Sequence, residues 1–311
     1  MTRLFFATDL HGSEVCWRKF LNAARFYDAG VLVCGGDLTG KAIVPMVEAD
    51  GGYDFALAGA REHVGAGAAP EVEARIRRRG YYPVRMSADE VVELGRDPAR
   101  VRDLFTRQMC ATVERWLAIA EEKLAGTGVR CFLCPGNDDE LAVDEVVRAS
   151  RLVEHAEGRV LDVAGFEMIS TGWANPTPWN THREEPEDDL GRRIEAMAAG
   201  LRDPARAIFN IHVPPFGSKL DEAPALDDQL RPKHGGRSMR PVGSTAVREA
   251  IARHQPMLSL HGHIHESKGA SRLGRTLAIN PGSSYEEGVL MAAIVELDAR
   301  KGVKSYQLVN G

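Results

Sequence analysis

The chain lacks the features that would place it in a specialised class. It has no basic excess: 39 Lys and Arg stand against 44 Asp and Glu, for a formal charge of -5 and a pI near 6.1. That balance gives no electrostatic footprint for nucleic acid, which asks for a basic patch or stripe. No apolar run approaches the ~20 residues that span a bilayer. The start, Met1 to Ala7 running straight into Asp9, shows no cleavable signal pattern, so a cytoplasmic location without membrane contact is expected. Cysteine is scarce and odd in number: Cys16, Cys34, Cys110, Cys131 and Cys134 argue against a disulfide framework. Cys131 and Cys134 form a lone C-x-x-C inside the apolar run 129–134, which reads as a buried strand rather than a zinc knuckle. There is no internal repeat. What remains is ordinary for a globular protein, with 44% hydrophobic and 27% charged residues over 311 positions, enough for one large domain.

Short apolar runs punctuate the chain. Residues 3 to 8 and 31 to 34 read as buried strands flanking a helix over 13 to 27, with Val15, Cys16, Phe20, Leu21 and Ala24 at helical spacing. Residues 41 to about 97 interrupt this rhythm. There Asp50-Gly51 signals a hairpin between 42–47 and 53–57, followed by helical 70–79, and the stretch reads as an insertion within a single domain spanning 1–311. Ser87 to Glu90 looks like a helix start, and 98 to 124 a long amphipathic helix with Val101, Leu104, Phe105, Met109, Val113, Trp116 and Leu117 on one stripe. Further strands are expected at 129–134, in a hairpin over 160–169 turned by Ala164-Gly165, and at 207–211, 257–260, 277–279, 289–297 and 304–309. Helices are expected through Met197 and near 244–253.

The densest chemical signal is His261-Gly262-His263-Ile264-His265, which leaves the run Met257 to Leu260. Three imidazoles at alternate positions would share one side if the extended geometry continued. For any single histidine a hydrogen-bonded core or surface role is the default; a cluster reads first as a metal site. Other apolar runs also end in metal-binding side chains: Asp9 and His11, Asp37, Asn137, and His212. In open α/β sheets ligands bind beyond the carboxyl ends of strands, so these residues would converge. Asp9, His11, Asp37, Asn137, His212, His263 and His265 are too many donors for one tetrahedral zinc, which takes about three protein ligands and a water. Two ions are implied, and a mixed imidazole and oxygen set suits Mn, Fe or Zn without choosing among them. Two ions ~3.5–4 Å apart are the apparatus of phosphate-ester hydrolysis.

The ordered blocks Asp9-Leu10-His11, Gly36-Asp37, Gly136-Asn137-Asp138-Asp139, His212 and Gly262-His263-Ile264-His265 resemble the calcineurin-like metallophosphoesterase superfamily. Asn280-Pro281-Gly282-Ser283 resembles a common ending of its bacterial and archaeal members. The resemblance spans residues 9 to 265 and implies a four-layer α/β/β/α sandwich of two mixed sheets flanked by helices. It also implies one metal held by Asp9, His11, Asp37 and His265 and a second held by Asp37, Asn137, His212 and His263, with Asp37 bridging. The implied activity is hydrolysis of a small phosphate-ester substrate by a hydroxide shared between two divalent or trivalent ions, with His212 and Asn137 serving the substrate as well as the metals. His261 falls outside the pattern and reads as support for its neighbours.

One departure matters. Members with the commonest third block carry Gly-Asn-His, and that His contacts the phosphoryl group and leaving oxygen; here Asp138 holds its place. Ionised, Asp138 repels an anion; protonated, it is a general acid. A diester carries less charge than a monoester, so diester preference is expected, with a monoesterase or protein phosphatase of the same fold, or a non-catalytic metal-binding scaffold, as the competing readings. His234, with Lys219, Arg231, Lys233 and Arg237, lies in the loop after His212 and is the candidate for neutralising substrate charge. His182, Trp173 and Trp179 occupy another loop that could line the cleft. Amidohydrolases and metallo-β-lactamase-like hydrolases place their His-x-His early in the chain, which speaks against both. A homo-oligomer stays open.

Overall fold

The computed structural model describes residues 1–311. Strand β1 (Thr2–Ala7) leads into helix α1 (Glu14–Phe26), whose Cys16, Trp17, Phe20 and Leu21 turn inward, and β2 (Val31–Cys34) returns parallel to β1. A parallel return needs such a crossover, and a strand buried on both faces can be apolar at every position, as Val31-Leu32-Val33-Cys34 is.

The interruption builds a sheet of its own. Strands β3 (Ile43–Ala49) and β4 (Gly52–Leu57) turn at Asp50-Gly51, whose φ values of 42° and 73° suit that dipeptide. Strand β5 (Ala60–Gly65) extends the meander, helix α2 (Ala69–Arg78) crosses, and β6 (Tyr82–Met86) lies parallel to β3, giving the order β5-β4-β3-β6. Val44, Met46, Phe55, Leu57 and Ile76 form its separate small core. The sequence reading missed β5 and β6 for physical reasons: β5 is a charged extension of the hairpin, and β6 carries Pro83, tolerated because β6 is an edge. Ser87 and Glu90 close a capping box on α3 (Ala88–Arg96), and Asp97 caps α4 (Pro98–Leu124). Along α4 Met109, Val113 and Trp116 are buried, while Val101 is 40% exposed and so leaves the expected apolar stripe. Trp116 stacks on Trp17 at 5.0 Å and accepts its indole N–H at the backbone carbonyl.

The remaining elements are β7 (Arg130–Leu133), α5 (Ala142–Arg148), β8 (Val153–His155), β9 (Val160–Val163), β10 (Phe166–Thr171), α6 (Glu187–Ala198) and β11 (Ile208–Ile211). After them come β12 (Glu222–Pro224), β13 (Met239–Pro241), α7 (Thr245–His254), β14 (Leu258–Leu260), β15 (Gly269–Leu273), β16 (Thr276–Asn280), β17 (Met291–Asp298) and β18 (Gly302–Asn310). Two mixed six-stranded sheets result, ordered β18-β17-β1-β2-β7-β8 and β15-β16-β14-β11-β10-β9.

Strand alternation sorts the side chains into layers. Leu4, Phe6, Val31, Val33 and Phe132 of the first sheet meet Met168, Ile208, Leu258, Leu260 and Ile279 of the second in one cluster between the sheets. Their neighbours Phe5, Ala7, Leu32, Cys34 and Leu133 face the other way, against Trp17, Phe20, Val113 and Trp116 of the helices. Phe209 and Ile211 likewise face Leu190, Ile194, Val247 and Ile251. The fold is therefore a four-layer α/β/β/α sandwich, as the family resemblance implied. No helix is long and apolar enough to cross a membrane.

Candidate metal centre

The loops after β1, β2 and β7 of one sheet and after β11 and β14 of the other carry the functional side chains, and each leaves the carboxyl end of a strand in a parallel run. Asp9, His11, Asp37 and His265 bring ligand atoms within 4.8 Å of one another, and so do Asp37, His212 and His263. Asp37 belongs to both groups. Asn137 joins the second, its Oδ1 2.7 Å from His263 Nδ1. The seven side chains singled out in the sequence are thus gathered in one place.

The backbone is bent to achieve this. Asp9, His11, Asp37 and His263 all have positive φ, at 54°, 41°, 48° and 65°, a region that costs a non-glycine residue about 1–3 kcal/mol. Hydrogen bonds hold the bends: Asp9 N–H to the Gly36 carbonyl at 3.0 Å, His11 N–H to the Asp37 carbonyl at 2.9 Å, and His263 N–H to Asp9 Oδ1 at 3.0 Å. Close approach fixes two glycines. A Cβ on Gly36 would lie 2.1 Å from His212 Nδ1, and one on Gly262 would lie 2.4 Å from Asp9 Oδ2. Asn280 secures the last loop by donating to the Leu220, Gly262 and Ile264 carbonyls.

Three alternate histidines on one continuing strand is an expectation the structure corrects. Strand β14 ends at Leu260, and the left-handed His263 breaks the extended run. His261 turns back into the sheet, its Nε2 2.8 Å from Ser259 Oγ and its Nδ1 2.8 Å from the Ile211 carbonyl. Burial lowers its pKa to about 4, so it is a neutral strut bracing the chain that carries His212.

The donors fit a cation. His212 places Nδ1 3.1 Å from the Gly35 carbonyl, so Nδ1–H donates there and Nε2 is the ring atom turned to the cluster. That buried Nε2 has no hydrogen-bond partner and faces Asp37 Oδ2 at 3.3 Å and Asp9 Oδ1 at 3.9 Å. On the other side His11 Nε2 and His265 Nε2 face each other at 3.1 Å beside Asp37 Oδ2 and Asp9 Oδ1. The fields agree. Burial opposes ionisation of Asp9 and Asp37, but His265 and His212 outweigh it and hold both carboxyls below the ordinary range. Burial lowers His212, yet Asp37 and Asp9 raise it to about 9; they demand positive charge at a point where a metal ion would supply it. Burial also lowers His263 to about 4, reinforced by His212.

Three neighbours of the cluster, Lys41, Thr181 and Tyr285, carry no signal in the sequence. Lys41 Nζ lies 2.9 Å from Asp138 Oδ2, and Asp138 Oδ2 lies 3.9 Å from His11 Nδ1. Burial and the charge of Asp37 raise Asp138 to about 6, against the downward pull of Lys41. Asn137 donates through Nδ2 to Thr181 Oγ1 at 2.8 Å, and Tyr285 lies against the His11 ring at 4.6 Å between centroids. Asp139 is structural: it accepts from the Leu38, Thr39 and Gly136 N–H groups and from Thr39 Oγ1, joining the loops after β2 and β7.

Other predicted residues fall elsewhere. His234, expected to bind substrate, is exposed at φ 51° in the turn between β12 and β13 and is not among the clustered candidate donors; the loop spends its length on a hairpin of its own. Lys219, Arg231, Lys233 and Arg237 are exposed in the same region. Trp173 packs beneath the Arg193 guanidinium at 4.2 Å, and His182 pairs with Glu140 at 3.4 Å. Trp179 is 64% exposed, two residues from Thr181.

No protein-family model matches the chain. An uncharacterized protein of Methanocaldococcus jannaschii, MJ1162, is 27% identical over 153 residues, which are 48% of this chain and 62% of that relative, so the match spans less than two thirds of its length. One solved structure superposes over 99% of this chain and 98% of its own with a TM-score of 0.55 at 18% identity. Another, TT1561 of Thermus thermophilus, covers 100% and 98% with a TM-score of 0.54 at 16% identity. These likenesses are of fold.

Proposed function

We propose that the chain is a binuclear metal-dependent phosphoesterase, resembling the calcineurin-like superfamily, that hydrolyses small phosphate esters and prefers diesters. The observation that carries this reading is the pair of donor groups sharing Asp37, with oxygen and nitrogen donors on both sides and a buried, unpartnered His212 Nε2 between two carboxylates. Asp9, His11, Asp37 and His265 would hold one ion, and Asp37, Asn137, His212 and His263 the other. Bound there, two cations supply Lewis acidity that lowers the pKa of water towards ~7 and offsets charge on a phosphoryl group.

The chain's own groups do the rest. Gly35 fixes the His212 tautomer, and Thr181 orients the Asn137 amide so that its oxygen faces His263. Diester preference follows from Asp138, a carboxylate at the rim that penalises a doubly charged monoester more than a singly charged diester. Metal-supplemented assays on bis-p-nitrophenyl phosphate and p-nitrophenyl phosphate test this: faster turnover of the diester is expected, and a clear monoester preference would sink the diester assignment. Fewer than about two ions bound per chain under metal-replete conditions would count against the binuclear centre itself.

A further inference from the structure

Residue Lys41 is absent from the sequence pattern that points to the centre, yet it is the one cation paired with Asp138 at the rim. Its backbone is clamped. Gly40 N–H donates to the Tyr82 hydroxyl at 2.5 Å, Tyr82 N–H donates to the Ala42 carbonyl at 2.9 Å, and a Cβ on Gly40 would stand 1.8 Å from the Gly80 carbonyl. The chain therefore leaves the loop after β2 along one path, pressed between the metal-binding loops and the separate β3–β6 sheet. From that fixed base the ammonium reaches Asp138 Oδ2 at 2.9 Å, while 43% of the side chain stays exposed.

An ammonium has three N–H donors, and one carboxylate oxygen uses one of them. The rest are left for another acceptor, since the only ion pair of this ammonium is the one to Asp138 and the side chain is partly exposed. The pair offsets part of the charge with which Asp138 would repel an anion, and the remainder still weighs most on a doubly charged one.

We propose that Lys41 binds a non-bridging phosphoryl oxygen of the substrate while Asp138 holds its ammonium in place, so that an ion pair fills the substrate contact where Asp138 replaces the expected histidine. This rests on the phosphoesterase reading. An ammonium already paired with a carboxylate brings little net charge, which suits a diester's single negative charge better than a monoester's two. Asp138 is then a positioning residue, and Lys41 is the group that touches substrate.

The test uses the metal-replete full chain with two readouts, turnover of bis-p-nitrophenyl phosphate and calorimetric binding of inorganic phosphate. Lys41→Met is expected to raise KM and weaken phosphate binding by about tenfold or more, the scale of a lost charge-assisted hydrogen bond. Metal content should stay at the wild-type level, and Lys41→Arg should recover most of the loss. The exposed side chain makes misfolding of the variant readily checked by its melting temperature. Unchanged KM and phosphate affinity in Lys41→Met would overturn the assignment and leave Lys41 as a counter-ion of Asp138. If the wild type turns over no ester, the hydrolase reading fails, and the phosphate arm still decides: binding lost in Lys41→Met supports the contact, and binding that is equal or absent in both overturns it.

Discussion

The buried nitrogen of His212 is the sharpest single-atom feature of the molecule. Nothing hydrogen-bonds to Nε2, and its ring is fully buried between Asp9 and Asp37. On the binuclear reading, that nitrogen is the one a cation between the two carboxylates would take. His212→Ala should therefore lower bound metal from about two ions per chain towards one, and Asp37→Asn, touching both groups, should lower it further. Elemental analysis of the purified variants checks this, with unchanged content in both as the contrary result. These donors were legible in the sequence because each follows an apolar run and strand ends converge in such sheets. Lys41 was not, since a lone lysine after Gly40 has the same appearance whether it is solvated or aimed at Asp138. His234, expected to meet substrate because it follows His212 in the chain, stands exposed in the turn between β12 and β13 and is not among the clustered donors.

A second residue-scale prediction concerns acid. Asp144 accepts from the buried Arg183 at 2.7 Å and lies 2.5 Å from His155 Nε2. Burial alone would raise its pKa; His155 and Arg183 outweigh this and hold it below its ordinary 3.8. A carboxyl depressed on folding contributes stability that is fully present above the unfolded pKa and is lost as pH falls through the folded one. Melting temperature should thus drop below about pH 4 in the wild type. Asp144→Asn should be destabilised by about 3–5 kcal/mol at neutral pH, because the Arg183 charge is left buried, and should show a shallower acid limb. Parallel melting curves from pH 3 to 7 decide it; identical acid limbs would remove Asp144 as the cause.

Among the elements, the loops after β2 and β7 are tied together by Asp139, which accepts three hydrogen bonds from Leu38 and Thr39 across them and a fourth from Gly136 in its own loop. Asp139→Ala strands buried donors, at about 1–3 kcal/mol each, and should lower melting temperature and metal affinity together. A fall in stability with metal affinity intact would show that the loops keep their geometry without the tie. Elements with strong apolar patterns, such as β1, β2, β7 and β11, were readable from sequence. Strands β5, β8 and β15 were not: β5 is charged, β8 is three residues long, and β15 is a polar edge, so period and length fail as signals. The Asp50-Gly51 hairpin was legible through turn chemistry alone, and the sheet it belongs to only through the long-range pairing of β3 with β6.

At the scale of the whole molecule, the centre sits where two sheets meet, and the sequence could name the strands without dividing them between sheets. Residues far apart in the chain depend on one another there: His263 N–H binds Asp9 Oδ1, and His265 Nε2 lies 3.3 Å from it, across more than 250 positions. The sandwich must be closed before the candidate donors assemble, so on the proposed reading any metal affinity belongs to the folded chain, and metal should stabilise it globally. Free metal at about 100 times its Kd contributes about 2.7 kcal/mol per site. With an unfolding entropy of about 2.1 cal/mol/K per residue, that corresponds to a rise of about 4 °C in melting temperature for a chain of this length. The rise should be reversed by a chelator, and it should shrink in His212→Ala and Asp37→Asn but not in Ile76→Ala, which weakens the separate β3–β6 core. Scanning calorimetry with and without Mn distinguishes the cases, and a melting temperature indifferent to metal up to millimolar concentration would mean that the seven converged side chains do not form a metal site.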